Sequence, residues 1–273
     1  MDQAALDKAA YKLAKDFLLR SDVKGVTPES IERELYISTL DRPETLEELY
    51  RRILASGQSA NMKPGVIGGA IGGVHRLGPV LCGFDPAQVL QKYSFGWEEV
   101  FEEIVDRLNP RGNINRTSKG LWPMYCRTIL SGAKFLSQFA SAKDFYDWVD
   151  FFDKDERARP ALPMLVAEEI DGFGFALACD FLKELGYENF SKPDVHIKEI
   201  FPALGLCPYG ASNYEVFKAV DRVARNAGVT PYNVDKVFWL IGRKSFGSRK
   251  KAFIALAQPS LERMRDEETR LHA

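Results

Sequence analysis

The residue best placed to do chemistry is Asp194. It follows a polar turn, Asn189 to Pro193, and precedes an apolar helical stretch with Val195, Ile197, Ile200 and Phe201. That is an N-cap position, where a side-chain oxygen takes orphan backbone N–H groups. A carboxylate held there in a partly dry cleft can stabilise positive charge that develops during a reaction and can orient a water. Capping and catalysis are compatible roles. Upstream, Asp171-Gly172-Phe173-Gly174 is a turn whose two glycines can take positive φ and bring bare backbone close to a ligand. Successive N–H groups from Gly172 through Phe173, Gly174 and Phe175 to Ala176, at a helix start, form a nest suited to a phosphate. The densest basic run without an acid spans residues 243–251 and includes Arg249 and Lys250. It suits phosphates, or equally a solvated turn.

The elements that position these residues read as helices. Before the glycine turn, Leu162, Leu165, Val166 and Ile170 fall at helical spacing; after it, Ala178, Phe181, Leu182 and Leu185 share a face, closed by Gly186. Residues 3–20 carry an apolar stripe of Ala5, Leu6, Ala9, Leu13 and Phe17. Thr27 and Pro28 open a second helix, and Arg42 to Thr45 lead into a third with Leu46, Leu49, Ile53 and Leu54. Further helical stretches run over 129–139, 142–152, 213–227, 232–242 and 249–267. No β alternation is sustained and no internal repeat is present, so an all-α fold is expected.

The order helix, G-x-G hairpin, helix, turn, Asp, helix resembles the helix-hairpin-helix DNA glycosylase superfamily. Its relatives include endonuclease III, the adenine glycosylases, the 8-oxoguanine glycosylases and 3-methyladenine glycosylase II. The residues that carry the resemblance are Ile170-Asp171-Gly172-Phe173-Gly174-Phe175-Ala176-Leu177-Ala178 and Pro193-Asp194-Val195-His196-Ile197, with Asp194 following Ala176 at the family's spacing. Asp171 stands where the family has proline. Leu54-Ala55-Ser56-Gly57-Gln58-Ser59-Ala60-Asn61 resembles a second family segment, in which a glutamine fills the gap left by an extruded base. The resemblance makes Gln58 the wedge and Asp194 the carboxylate that stabilises the sugar cation as an N-glycosidic bond breaks. It also implies a monovalent cation held by the hairpin carbonyls against a DNA phosphate, in a contact that fixes register without reading sequence.

The same resemblance implies two helical subdomains, one from 59–190 ending in the hairpin and one from 1–58 plus 191–273, with the motif beside a central cleft. Relatives that also nick the strand carry a lysine at the position of Ala176, so a monofunctional glycosylase is expected. Its partner is double-stranded DNA, and the protein is expected to act as a monomer. The substrate is a damaged base, or a hypermodified base of viral DNA in an antiviral role. A DNA-binding module without chemistry and an unrelated helical interaction protein are the competing readings.

Composition bounds the rest. The formal charge of the 273-residue chain is −1, so any DNA contact must use a local patch. Cys82, Cys126, Cys179 and Cys207 are scattered, and no C-x-x-C occurs, so no zinc site is expected. Iron–sulfur relatives cluster four cysteines after the aspartate; only Cys207 lies there, so no cluster and no other cofactor is expected. Scattered thiols without a signal peptide point to a reducing cytoplasm. The glycine-rich stretch from Lys63 to Gly83 lacks the G-K-[ST] ending of a phosphate loop, and His75 and Arg76 interrupt it as a membrane span. It reads as a helix with one smooth face packed on a neighbour. Residues 109–120 form a polar loop with Arg111, Arg116 and Lys119, either a DNA-backbone contact or an ordinary exposed loop. Trp122 and Tyr125 are candidates to stack on an extruded base, or core residues.

Overall fold

The computed structural model describes residues 2–20, 23, 26–37, 42–58, 66–244 and 249–271, with side chains to residue 264. The helices are α1 (Gln3–Leu19), α2 (Pro28–Glu34), α3 (Leu46–Gly57), α4 (Val66–Ile71), α5 (Pro86–Lys92), α6 (Trp97–Leu108) and α7 (Leu121–Leu136). They continue with α8 (Ala142–Lys154), α9 (Ala161–Glu169), α10 (Phe175–Glu184), α11 (Val195–Ala203), α12 (Asn213–Ala227), α13 (Pro231–Gly242) and α14 (Lys250–Leu271). Short 3-10 turns cover Val74–Leu77 and Cys82–Phe84. No strand occurs among the described residues, so the chain is all-α, as its periodicity indicates.

Local chemistry explains the helix starts. Thr27 and Ser30 form a reciprocal capping box ahead of Pro28, and Ser212 does the same with Glu215. Thr45, Ser141 and Thr230 each accept a backbone N–H from the first turn of the following helix. Each cap contributes about 1 kcal/mol. Packing supplies the larger share. On α12 the stripe Val216, Phe217, Val220, Val223 and Ala224 is buried, at about 1.5–3 kcal/mol for each large side chain.

The chain forms two compact units, Met1–Leu40 with Leu182–Ala273, and Asp41–Phe181. The first is built on α1, α11, α12, α13 and α14 around Phe201, Phe238 and Phe253. Arg222 of α12 pairs with the fully buried Asp7 of α1 at 2.8 Å, and Asn226 donates to the same carboxylate at 2.7 Å. In the second unit, α7 packs against α3, α5, α6 and α9.

These boundaries differ from the expected 58/59 and 190/191. Helix α3 packs with the central chain because the Tyr50 hydroxyl donates to Ile129 O at 2.8 Å and that of Tyr125 to Leu54 O at 2.9 Å, both buried. At the other end, Lys183 and the turn after α10 bond to α13, which draws residues from Leu182 onward into the first unit.

The glycine-rich stretch is not one smooth helix. Residues 59–65 lie outside the described residues, α4 ends at Ile71, and Gly72 and Gly73 follow at positive φ. Close approach survives at one point: a Cβ on Gly68 would lie 2.7 Å from Gln58 Oε1.

Candidate active site

Asp194 caps α11. Its Oδ1 accepts the N–H groups of His196 at 2.9 Å and Ile197 at 3.0 Å. Among the described residues nothing bonds Oδ2. One oxygen therefore fixes the side chain at the start of α11. Burial pushes the Asp194 carboxyl above its ordinary pKa. The Ile197 N–H pulls it down, the negative charge of Asp235 adds to the rise, and His196 and its N–H oppose it.

The turn ahead of Asp194 is anchored rather than loose. Gly186 closes α10, and Tyr187 N–H returns to Leu182 O at 3.3 Å. Tyr187, Phe190 and Phe217 meet edge-on or tilted, and Ser191 is fully buried. Helix α13 holds the turn twice: Tyr232 N–H donates to Glu188 O at 2.8 Å, and Asp235 Oδ2 accepts Lys192 N–H at 2.9 Å. The same Oδ2 accepts Lys183 Nζ at 2.9 Å. The His196 ring occupies the space that a side chain on Gly242 of α13 would need, and a Cβ there would overlap it, so His196 is a packing residue.

The hairpin sits between α9 and α10. Gly172 has φ +83°, a conformation that L side chains rarely adopt, and Gly172 and Gly174 are both exposed. Helix α7 holds the turn: Asp171 N–H donates to Ser131 Oγ at 2.9 Å and Thr128 Oγ1 donates to Asp171 O at 2.6 Å. Phe173 pins it from below, buried edge-on against Phe181 at 6.2 Å. Asp171 lines a surface pocket of about 480 Å³ together with Arg127, Lys134, Glu168 and Glu169, so its charge is not offset there. The expected row of free N–H groups is shorter than the spacing implies, because Phe173 N–H folds back to Ile170 O at 3.0 Å. Phe175 and Ala176 open α10 and are half-buried.

Gln58 is the C-cap of α3, and its Oε1 accepts Gly68 N–H at 3.1 Å. It lines a surface pocket of about 640 Å³ with Arg42, Arg51, Arg52 and His75, residues for which no motif gave a signal.

Several expected contacts are engaged elsewhere. Trp122 and Tyr125 are 6% and 2% exposed and meet edge-on at 6.2 Å, so they are core residues, not stacking platforms. Arg249 packs its guanidinium 5.2 Å from the Phe17 ring, and Lys250 pairs with Glu199. Both therefore have intramolecular partners, which a phosphate would have to compete with; residues 245–248 of that run lie outside the described residues. In the polar loop, Arg111 donates to Gly69 O at 2.8 Å and Arg116 pairs with Glu102, so these arginines brace the loop. The signal missed by sequence is the Lys183–Asp235 pair, whose members lie far apart in the chain.

No protein-family model matches the chain, and no curated protein matches it. Its fold is similar to that of the Methanocaldococcus jannaschii 8-oxoguanine glycosylase/lyase, solved in complex with a 15mer DNA containing 8-oxoguanine. The TM-score is 0.50 at 16% identity, over 84% of this chain and 94% of that one. At that identity the likeness is one of fold, and it agrees with the all-α arrangement of this chain.

Proposed function

We propose that the protein is a DNA glycosylase that hydrolyses the N-glycosidic bond of a base turned out of the duplex and leaves an abasic site. The observation that carries this is Asp194: one oxygen is locked by two backbone N–H groups, the other is unengaged among the described residues, and the turn before it is anchored to α13. As the bond lengthens, positive charge grows on the sugar, and the fixed carboxylate stabilises it without reorganising. The free Oδ2 orients the water that completes the reaction. The exposed hairpin backbone at Gly172 and Gly174 binds a DNA phosphate. As the family resemblance implies, carbonyls of the hairpin would hold a monovalent cation, which would add positive charge against that phosphate.

A panel of duplexes tests the reading. Each carries one oxidised, deaminated or alkylated base, and natural hypermodified viral DNAs are included to separate repair from defence. Alkali after incubation should cleave at least one of them at the modified position. Absence of cleavage throughout, with no salt-sensitive preference for duplex holding an abasic-site analogue, would return the chain to the interaction-protein class.

Gln58 is the proposed wedge, and it must leave Gly68 to enter the duplex. Gln58→Ala is expected to slow excision of a fully paired target by about tenfold, because flipping then costs its full unstacking energy. A target opposite a mismatch should be affected much less. Equal loss on both substrates would mean that Gln58 supports the fold rather than flipping.

The reaction is proposed to be hydrolysis alone. Ala176 carries no nucleophile where strand-nicking relatives have lysine. Lys183 is held as an ammonium by Asp235, and a protonated amine does not attack a sugar. Borohydride added during turnover is expected to trap no covalent protein–DNA adduct. A trapped adduct that disappears in Lys183→Ala or Lys192→Ala would establish a lyase and identify its amine.

A further inference from the structure

We propose that Asp235 is a positioning residue for Asp194, and that it works as one half of a buried ion pair with Lys183 that sets both the place and the charge of the reacting carboxylate. This rests on the assignment of Asp194 above. The geometry is specific. Asp235 is 2% exposed, and its Oδ2 takes two donors at once: Lys192 N–H and Lys183 Nζ, both at 2.9 Å. Lys192 O in turn accepts Asp194 N–H at 2.8 Å. A single oxygen on α13 thus ties the end of α10 and the last turn before the catalytic carboxylate to one point.

A buried carboxylate beside a reacting carboxylate is costly unless it has a structural or electrostatic task. Here it has both. Its negative charge lies close enough to Asp194 to disfavour ionisation there. Lys183 pairs with that charge directly, so removal of Lys183 should strengthen the effect of Asp235 on Asp194. Other groups face α11 as well: His196 on α11 itself, Tyr232 beside the Lys183–Asp235 pair, Lys250 of α14 paired with Glu199, and Asn213 of α12 bonded to Lys198. Asp235 is distinguished from them by bonding both Lys192 N–H and Lys183 Nζ.

Two charge-removing changes separate electrostatics from mere support. Asp235→Asn keeps an oxygen for Lys192 N–H but removes the negative charge. Lys183→Gln removes the positive one. The Asp194 carboxyl, assigned by its loss in Asp194→Asn, is titrated by carbon NMR in the free protein. Its midpoint is expected to move to lower pH in Asp235→Asn and to higher pH in Lys183→Gln. The acid limb of the excision profile should move the same two ways. Midpoints that stay put, or that move together in both variants, would reduce Asp235 to a structural contact. If Asp235→Asn does not fold, Lys183→Gln decides alone: a rise supports the pair, and a fall or no change overturns it. The titration needs no substrate. Failure to excise any base would therefore count against the glycosylase reading, while the midpoints judge the pair independently.

Discussion

Asp194→Asn is expected to slow base excision by about a thousandfold, while binding to duplex with an abasic-site analogue stays within a few-fold of wild type. The substitution is nearly isosteric. Its side-chain oxygen can still accept the N–H groups of His196 and Ile197, so α11 keeps its cap. What disappears is the charge that stabilises the sugar cation, an interaction made chiefly in the transition state. The rate constant should therefore fall with little change in ground-state affinity. Wild-type activity should also decline as pH falls through the raised Asp194 pKa, which lies above that of an ordinary aspartate, and the residual rate of the Asn variant should lack that limb. Stability follows the opposite trend. A carboxyl whose pKa is raised by folding contributes most stability when protonated and loses it as pH rises through the folded pKa. Asp194→Asn is therefore expected to melt at a higher temperature than wild type above that pKa, with the gain vanishing in acid. A variant with full activity would remove Asp194 from the mechanism.

Blocking the hairpin is expected to weaken duplex binding by about 100-fold, the loss of one or two charge-assisted hydrogen bonds at about 1.5–3 kcal/mol each. Gly174→Glu is the cleaner variant. A Cβ on Gly174 meets nothing within 4 Å, and the position precedes α10, where a negative side chain suits the helix dipole. The fold should therefore hold while both bulk and charge repel a phosphate. Gly172→Val blocks the same approach but also forces a β-branched residue to φ +83°, so part of its effect will be loss of stability. Circular dichroism and melting separate the two causes. A folded Gly174→Glu protein that binds duplex as tightly as wild type would show that DNA does not contact this turn.

The residues that were legible in the sequence are those whose role is local. Asp194 caps the helix that begins one residue later, and Gly172 and Gly174 bend a turn between two helices whose apolar spacing is plain. Thr27 and Ser212 announce their helices for the same reason. What stayed hidden depends on partners far along the chain. Nothing around Arg249 reveals Phe17, and nothing around Lys250 reveals Glu199. Tyr125 reads as an aromatic near a polar loop until Leu54 supplies the carbonyl that buries its hydroxyl. Phe173 belongs to the motif by spacing, yet its ring anchors the turn from beneath, because Phe181 lies two helical turns on and packs against it. Asp235 and Lys183 were invisible for the same reason: an ion pair leaves no periodicity.

The clamp between Asp7 and Arg222 has a consequence for how the protein is made. Helix α1 is synthesised before the Asp41–Phe181 unit but packs on α12, α13 and α14, all of which come after it. At usual elongation rates it waits roughly 10–40 s for Arg222. During that interval the middle unit, continuous in sequence, can complete its own core, while Leu6, Ala10, Tyr11 and Ala14 remain an uncovered apolar stripe. Closing so long a loop adds only a logarithmic entropy term, so the delay is kinetic rather than thermodynamic. The nascent chain would thus carry the finished hairpin before the scaffold that holds Asp194 exists. Under the proposed function, affinity for DNA would mature during synthesis ahead of the capacity to excise a base.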